Sequence, residues 1–280
     1  MLSVLLAGLS ALCYGAADFS GGFASRRSPL VPVLVTSQLA GAVLALAFVL
    51  ASGEAVPAGR DLAWGATAGV AGAAGLALLY RGIARGLVAI VSPTAALVGA
   101  AIPVAFGILS GERPSPAALA GAAVCLPAVL LLSWERGGAA DRRALRSALG
   151  HALLSGAFIG LFFIALARSA PGSGLWPLLA ARGASIAILV AAALVSRQRL
   201  AVARAAALPT LVAGLADMAA NVLFLLATRA GLLSLAVIVA SLYPAPTVLL
   251  ARLFFRERIP PARAIGLALA VAGIALIGLR

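Results

Sequence analysis

Residues 86–121 read GLVAIVSPTAALVGAAIPVAFGILSGERPSPAALAG, and residues 231–266 read GLLSLAVIVASLYPAPTVLLARLFFRERIPPARAIG. The two stretches lie 145 positions apart and align without a gap, with ten of 36 positions identical. The shared positions include Gly86 with Gly231, Leu97 with Leu242, Glu112-Arg113 with Glu257-Arg258, Pro116 with Pro261, and Gly121 with Gly266. The same offset pairs Gly15 with Gly160, Pro32 with Pro177 and Gly69 with Gly214. A self-match at one fixed period means that the chain is a single unit of about 140 residues written twice.

Within each copy a long apolar run is cut by a short charged loop and then resumes. The whole chain has this texture: it is 63% hydrophobic and 10% charged, with a mean hydropathy of +1.13. Soluble domains are about 45–50% apolar and about 25% charged. Ten apolar runs stand at 2–24, 30–52, 62–84, 87–110, 116–134, 148–169, 174–196, 207–229, 232–254 and 261–279. Each holds about 20 residues, enough to cross about 30 Å of hydrocarbon as a helix. Backbone groups in lipid must be satisfied within the segment, and no period-two alternation supports a barrel, so the spans read as helices. The first run aligns with the repeat and has no basic segment before it, which reads as a first span and not as a cleaved signal.

The net charge of +13 comes from 21 arginines and no lysine, placed in short loops between apolar runs. That placement is topogenic and argues against nucleic-acid binding. Cys13 and Cys125 lie inside apolar runs, and His151 stands alone. They make no metal spacing and no disulfide framework. No cofactor motif, metal site or catalytic set is expected.

Residues 2–134 hold five spans, residues 148–280 hold five more, and ERGGAADRRALRS at 135–147 links the halves. An odd number of spans forces the second copy to insert upside down. The expected fold is therefore an all-α integral membrane protein of ten transmembrane helices in two inverted five-helix repeats, the pattern of many secondary transporters. Fifteen arginines fall on one side, five on the other, and Arg182 falls inside a span. The positive-inside rule puts the richer side in the cytoplasm and both termini outside.

Two five-helix repeats, each ending in a Glu-Arg loop before its last helix, resemble the EamA family of the drug/metabolite transporter superfamily. The best matches are GERPSPAALAG at 111–121 and RERIPPARAIG at 256–266. The resemblance implies a multi-pass protein of a bacterial-type inner membrane that exports amino acids, other metabolites or drugs and is not an enzyme. An aromatic amino acid exporter is the member type most similar to this chain. It also implies cytoplasmic termini, against the arginine count. A broad drug exporter is the alternative, with a membrane-embedded enzyme behind it. The expected partners are a small-molecule substrate and the lipid bilayer, with the choice between monomer and homodimer open.

Polar groups inside spans are costly and are functional candidates by default. Asp217 lies near the middle of span eight, with Asn221 and Phe224 one and two turns on along the same face. Arg182 lies about 10 Å into span seven, at a depth from which its guanidinium reaches Asp217. These groups are either a structural clamp or the wall of a substrate pocket. Prolines give a second signal. Pro93 is expected to break span four after Ser92, and Pro244 and Pro246 to break span nine after Ser241 and Tyr243, freeing carbonyls that must line a cavity or be re-bonded. Broken helices at matching places in two halves point to a transporter site. The substrate-binding candidates are thus Tyr80, Ser92, Thr94, Arg182, Asp217, Asn221, Phe224, Ser241 and Tyr243. Tyr14, Asp18, Gln38 and Trp176 are secondary. Asp18 is either a site group or an interfacial carboxylate neutralised by Arg26 and Arg27. Asn221 aligns with Leu76, Asp217 with Gly72 and Tyr243 with Val98, so the candidate site is lopsided and suits an asymmetric solute. Gly69, Gly72 and Gly75 read as a helix-packing stripe and not as a dinucleotide loop. Glu112 and Glu257 read as structural carboxylates at helix starts.

Overall fold

The computed structural model describes residues 1–83, 88–133, 142–255 and 259–278. Among them are eleven α-helices, one 3₁₀ turn and no strand. The helices are α1 (Leu2–Ser25), α2 (Leu30–Ser52), α3 (Gly59–Ile83), α4 (Val88–Leu109), α5 (Pro116–Ser133), α6 (Arg142–Ala167), α7 (Trp176–Val195), α8 (Arg204–Ala230), α9 (Leu233–Ala240), α10 (Pro244–Phe255) and α11 (Pro261–Gly278). Eight segments are long and apolar enough to cross a membrane, with α9 and α10 counted as one. Thr94–Leu109 and Pro116–Leu132 are shorter apolar helices. Each expected apolar run contains a helix. Large aliphatic side chains such as Leu5, Val43, Leu50 and Val271 stand exposed on the outside, as a lipid-facing surface requires.

Three starts differ from the sequence expectation. Helices α3, α6 and α8 begin at Gly59, Arg142 and Arg204, before their apolar runs. A helix satisfies its own backbone wherever it lies, so it continues past the hydrocarbon edge into charged sequence. The linker expected at 135–147 is accordingly helical from Arg142 onward, and its earlier part lies outside the described residues.

The expected break in span four does not occur: α4 runs through Pro93 without interruption. Pro93 removes one N–H bond past the first turn, a loss that α4 also absorbs at Pro103 without ending. Span nine does break. Pro244 cannot donate to Ala240, so the Tyr243 N–H takes that carbonyl at 3.2 Å, and Ala245 takes the Leu242 carbonyl at 2.9 Å. These three-residue spacings tighten the chain over Ser241–Tyr243. Pro244 then starts α10, where its fixed φ is already helical.

Helix packing depends on glycine. A Cβ on Gly69 of α3 would fall on the Ala181 carbonyl of α7, and one on Gly214 of α8 would fall on the Ser37 carbonyl of α2. Gly72 and Gly75 similarly admit Phe162 and Ile159 of α6. The stripe read as packing is packing. The result is a bundle in which α1 lies on α8 and α3 on α6, with α2 and α7, α4 and α9, and α5 and α11 paired around them.

Candidate functional site

Inside the bundle lies a cavity of about 850 Å³. It starts at mid-depth and runs to the end of the bundle where α1 finishes and α2 and α11 begin, since Ser25, Arg26, Leu30 and Arg263 line it. This is the arginine-rich end.

A polar network forms the deep end. Arg182 of α7 pairs with the Asp217 carboxylate of α8 and donates to the side-chain carbonyl of Gln38 on α2. Ser185, about one turn further along α7, donates to the same Gln38 oxygen at 3.1 Å. Asn221 donates to the Asp217 backbone carbonyl at 2.7 Å and to its carboxylate at 3.3 Å. The Tyr14 hydroxyl of α1 donates to the Asn221 side-chain oxygen at 2.9 Å. Four helices are tied together here, and every strongly polar group has a partner, which is the condition for keeping charge at membrane depth. Arg182 is 8% exposed and Asn221 3% exposed, so the network faces the cavity edge-on.

Asp18 differs. It is exposed within the cavity, and no hydrogen bond or ion pair to it exists among the described residues. It stands two turns before Arg26, the residue that follows α1. Of the two readings of Asp18, its place in the cavity lining favours the site group.

Aromatic rings make much of the wall. Tyr14 stands edge-on to Tyr243 at 6.3 Å and to Phe163 at 6.5 Å, and Phe162 and Phe163 are 5.3 Å apart. Phe19 and Phe23 continue the wall toward the arginine-rich end. Thr247, just past the break, donates to the Gly15 carbonyl at 3.2 Å, and a Cβ on Gly15 would strike Pro246. The break in span nine is thereby held against α1.

Of the sequence candidates, Arg182, Asp217, Asn221, Ser241, Tyr243, Tyr14, Asp18 and Gln38 line this cavity. Phe224 does not. It is fully buried behind Phe163, with ring centres 4.6 Å apart, because the face it shares with Asn221 turns into the core one turn on. Thr94 is half-buried and off the lining, while its neighbours Ala95 and Ala96 are on it. Trp176 caps the far end of the bundle, donating to the Glu54 carbonyl at 3.2 Å. The side chains of Tyr80 and Ser92 lie outside what is described, as does Glu257. Sequence reading missed Phe19, Phe23, Phe162 and Phe163, whose apolar rings carry no signal in an apolar chain. The repeat offset contained one: Phe163 aligns with Asp18 and Ile159 with Tyr14.

At the opposite end, carboxylates tie segments together by accepting from backbone N–H groups. Glu54 accepts from Leu175 at 2.9 Å and Asp61 from Ala170 at 2.8 Å. Arg229 of α8 donates to the Gly174 carbonyl at 2.8 Å and to Ala170 and Ser173 at 3.2 Å. Gly174 needs its positive φ of 53°, and a Cβ there would overlap the Glu54 carboxylate. Glu112 accepts from the N–H groups of Leu233 and Ser234 at 2.7 and 3.0 Å. It thus caps α9 in the other half and not α5, which follows it.

Residues 146–279 match the model of the EamA-like transporter family. No curated protein matches the chain. A solved structure described as "Crystal structure of protein" is similar over 99% of this chain and 98% of its own, with a TM-score of 0.80 and 19% identity, a likeness of fold.

Proposed function

The chain, through the match of residues 146–279, belongs with the EamA-like transporters of the drug/metabolite transporter superfamily, membrane transporters of small molecules, and from that premise we propose that it is an inner-membrane secondary exporter of small metabolites, with amino acids, aromatic ones among them, as the substrate class. The observation that carries this reading is the cavity. It is large enough for an amino acid, polar at its deep end, aromatic along its walls, and lined out to the arginine-rich end by Ser25, Arg26, Leu30 and Arg263.

We further propose ten spans in two inverted repeats, moving by alternating access. Hydrogen bonds support this. Ser10 donates to the Ala220 carbonyl at 2.8 Å, and Ser155 donates to the Gly75 carbonyl at 2.8 Å. Both donors and both acceptors differ by the 145-residue offset. By the positive-inside rule the cavity opens to the cytoplasm, so this is the loading state, and the opposite end, tied by carboxylates, is the exit gate.

The test is efflux of labelled amino acids from proteoliposomes containing the purified protein. Protein-dependent efflux of phenylalanine or tryptophan is expected. A protein that is folded in both membrane orientations yet moves none of a broad amino-acid panel would overturn the substrate class.

A further inference from the structure

The cavity's charges do not balance. The Arg182 guanidinium is taken by Asp217 and Gln38, so this pair adds no net charge and offers no free cation to a solute carboxylate. Asp18 is a second carboxylate, exposed in the cavity and without a partner among the described residues. Arg26 and Arg263 also line the cavity, but toward its mouth; Arg26 is about 12 Å along α1 from Asp18. Ionised Asp18 would therefore put one uncompensated negative charge in the middle of the cavity at membrane depth, a costly state that an arriving ammonium or proton relieves.

The walls say what kind of cation. Tyr14, Phe19, Phe162 and Phe163 line the same cavity as Asp18, Tyr14 and Phe19 from its own helix. Aromatic faces attract organic ammonium groups and cover apolar bodies. The asymmetry is built on repeat-related positions. Asp18 occupies the place that Phe163 has in the other half, Asp217 that of Gly72, and Asn221 that of Leu76, and all six line the cavity. One wall is polar and the other apolar, matching a solute with an ammonium at one end and a flat apolar group at the other.

We propose that Asp18 is the ammonium receptor of the cavity, and that the solute's charge requirement is its ammonium, its carboxylate being dispensable. This rests on reading the cavity as the solute site and sharpens the substrate class to amphiphilic primary amines, amino acids included.

The experiment reads occupancy separately from transport. Gly22 lines the cavity one turn past Asp18, and a Cβ there meets nothing within 4 Å. In a Cys13→Ala background, with Cys125 fully buried, Gly22→Cys supplies one reactive thiol. Its alkylation rate by a thiosulfonate reagent is measured with 2-phenylethylamine or 3-phenylpropionate present. The amine is expected to protect the thiol and the carboxylate is not. Asp18→Asn, checked for normal gel-filtration behaviour, is expected to raise the protecting amine concentration about tenfold or more. It should also lower the ratio of cationic to anionic reagent rates. Should Asp18→Asn misfold, Asp18→Glu in its place is expected to keep protection and the rate ratio. Equal protection by 3-phenylpropionate, amine protection unchanged in Asp18→Asn, or no protection by the amine would each overturn the proposal. Flux in proteoliposomes is scored apart. Asp18-dependent protection without any flux would sink the transport reading alone, and amino-acid efflux indifferent to Asp18→Asn would sink this inference alone.

Discussion

The Ser10 hydroxyl on α1 donates to the Ala220 carbonyl on α8 at 2.8 Å. Its echo, Ser155 on α6 to Gly75 on α3, has the same length and the same 145-residue spacing at both ends. Two bonds related in this way are what a structural repeat of the two halves would produce. Interhelical hydrogen bonds in membranes contribute about 0.6 kcal/mol each. Ser10→Ala and Ser155→Ala should therefore lower the detergent melting temperature by similar small amounts. An experimental structure should superpose residues 2–134 on 147–279 by rotation about an axis in the membrane plane. Parallel halves, or nine or eleven spans, would refute the repeat.

Orientation is predicted from the fifteen-to-five arginine bias. A reporter active only in the cytoplasm, fused after Arg280, should be silent. Strong activity would place the cavity mouth outside, and the open state would then be the releasing one.

The Arg182–Asp217 pair predicts a particular pattern of damage. Removing Asp217 leaves Arg182 charged, buried and short of its counter-ion, at a cost of about 3–5 kcal/mol, whereas removing Arg182 leaves Asp217 unpaired but a third exposed to the cavity, at a smaller cost. Arg182→Leu and Asp217→Leu should each lower the amount of folded protein in the membrane. The double variant should recover folding while transport stays low, because Gln38 and Asn221 lose the groups that position them. Recovery of transport as well would make the pair purely structural.

Much of this was legible in advance, and the limit has a physical cause. Hydrocarbon thickness fixes the length of a span, so the apolar runs located the helices. Depth arithmetic brought Arg182 to Asp217, since both positions follow from 1.5 Å per residue. What depth cannot give is direction around a helix axis when nearly every face is apolar. Phe224 and Asn221 share a face by spacing, yet one turn is enough to carry Phe224 from the cavity edge into the core. Proline gave a similar half-answer. Pro93 and Pro244 look alike as residues, but α4 absorbs Pro93 and Pro103 singly, whereas Pro244 stands in mid-span with Pro246 two residues on. The carboxylate latches of Glu54, Asp61 and Glu112 join segments more than 100 residues apart and leave no local trace.

Phe224 and Asn221 can now be told apart by experiment. Phe224→Ala empties a fully buried site and should cost about 3–5 kcal/mol of stability. Transport per folded molecule should stay near normal. Asn221→Ala removes the bridge from Tyr14 to Asp217 at the cavity floor. It should lower transport per folded molecule more than it lowers folded protein. The reverse result at Asn221 would make it a helix clamp.

Glu112 is the last test, and it concerns the gate. Its carboxylate holds two N–H groups at the start of α9, in the half of the chain to which it does not belong. A carboxylate at a helix N-terminus gains from both the free donors and the dipole, about 0.5–2 kcal/mol for a cap of this kind. A Cβ on Gly107 would collide with that carboxylate, so Gly107→Ala should push it off the cap without changing its charge. Glu112→Gln keeps one acceptor and should act more mildly than Glu112→Ala. If the cap is part of that gate, the order of damage in an accessibility assay from that side should be Glu112→Ala, then Gly107→Ala, then Glu112→Gln. The readout is alkylation of a cysteine placed at Ser3, whose hydroxyl bonds the Ala227 carbonyl beside Gly231 at the same end. Equal, slow labelling in all three variants would mean that the cap stabilises α9 alone and has no part in closing the path.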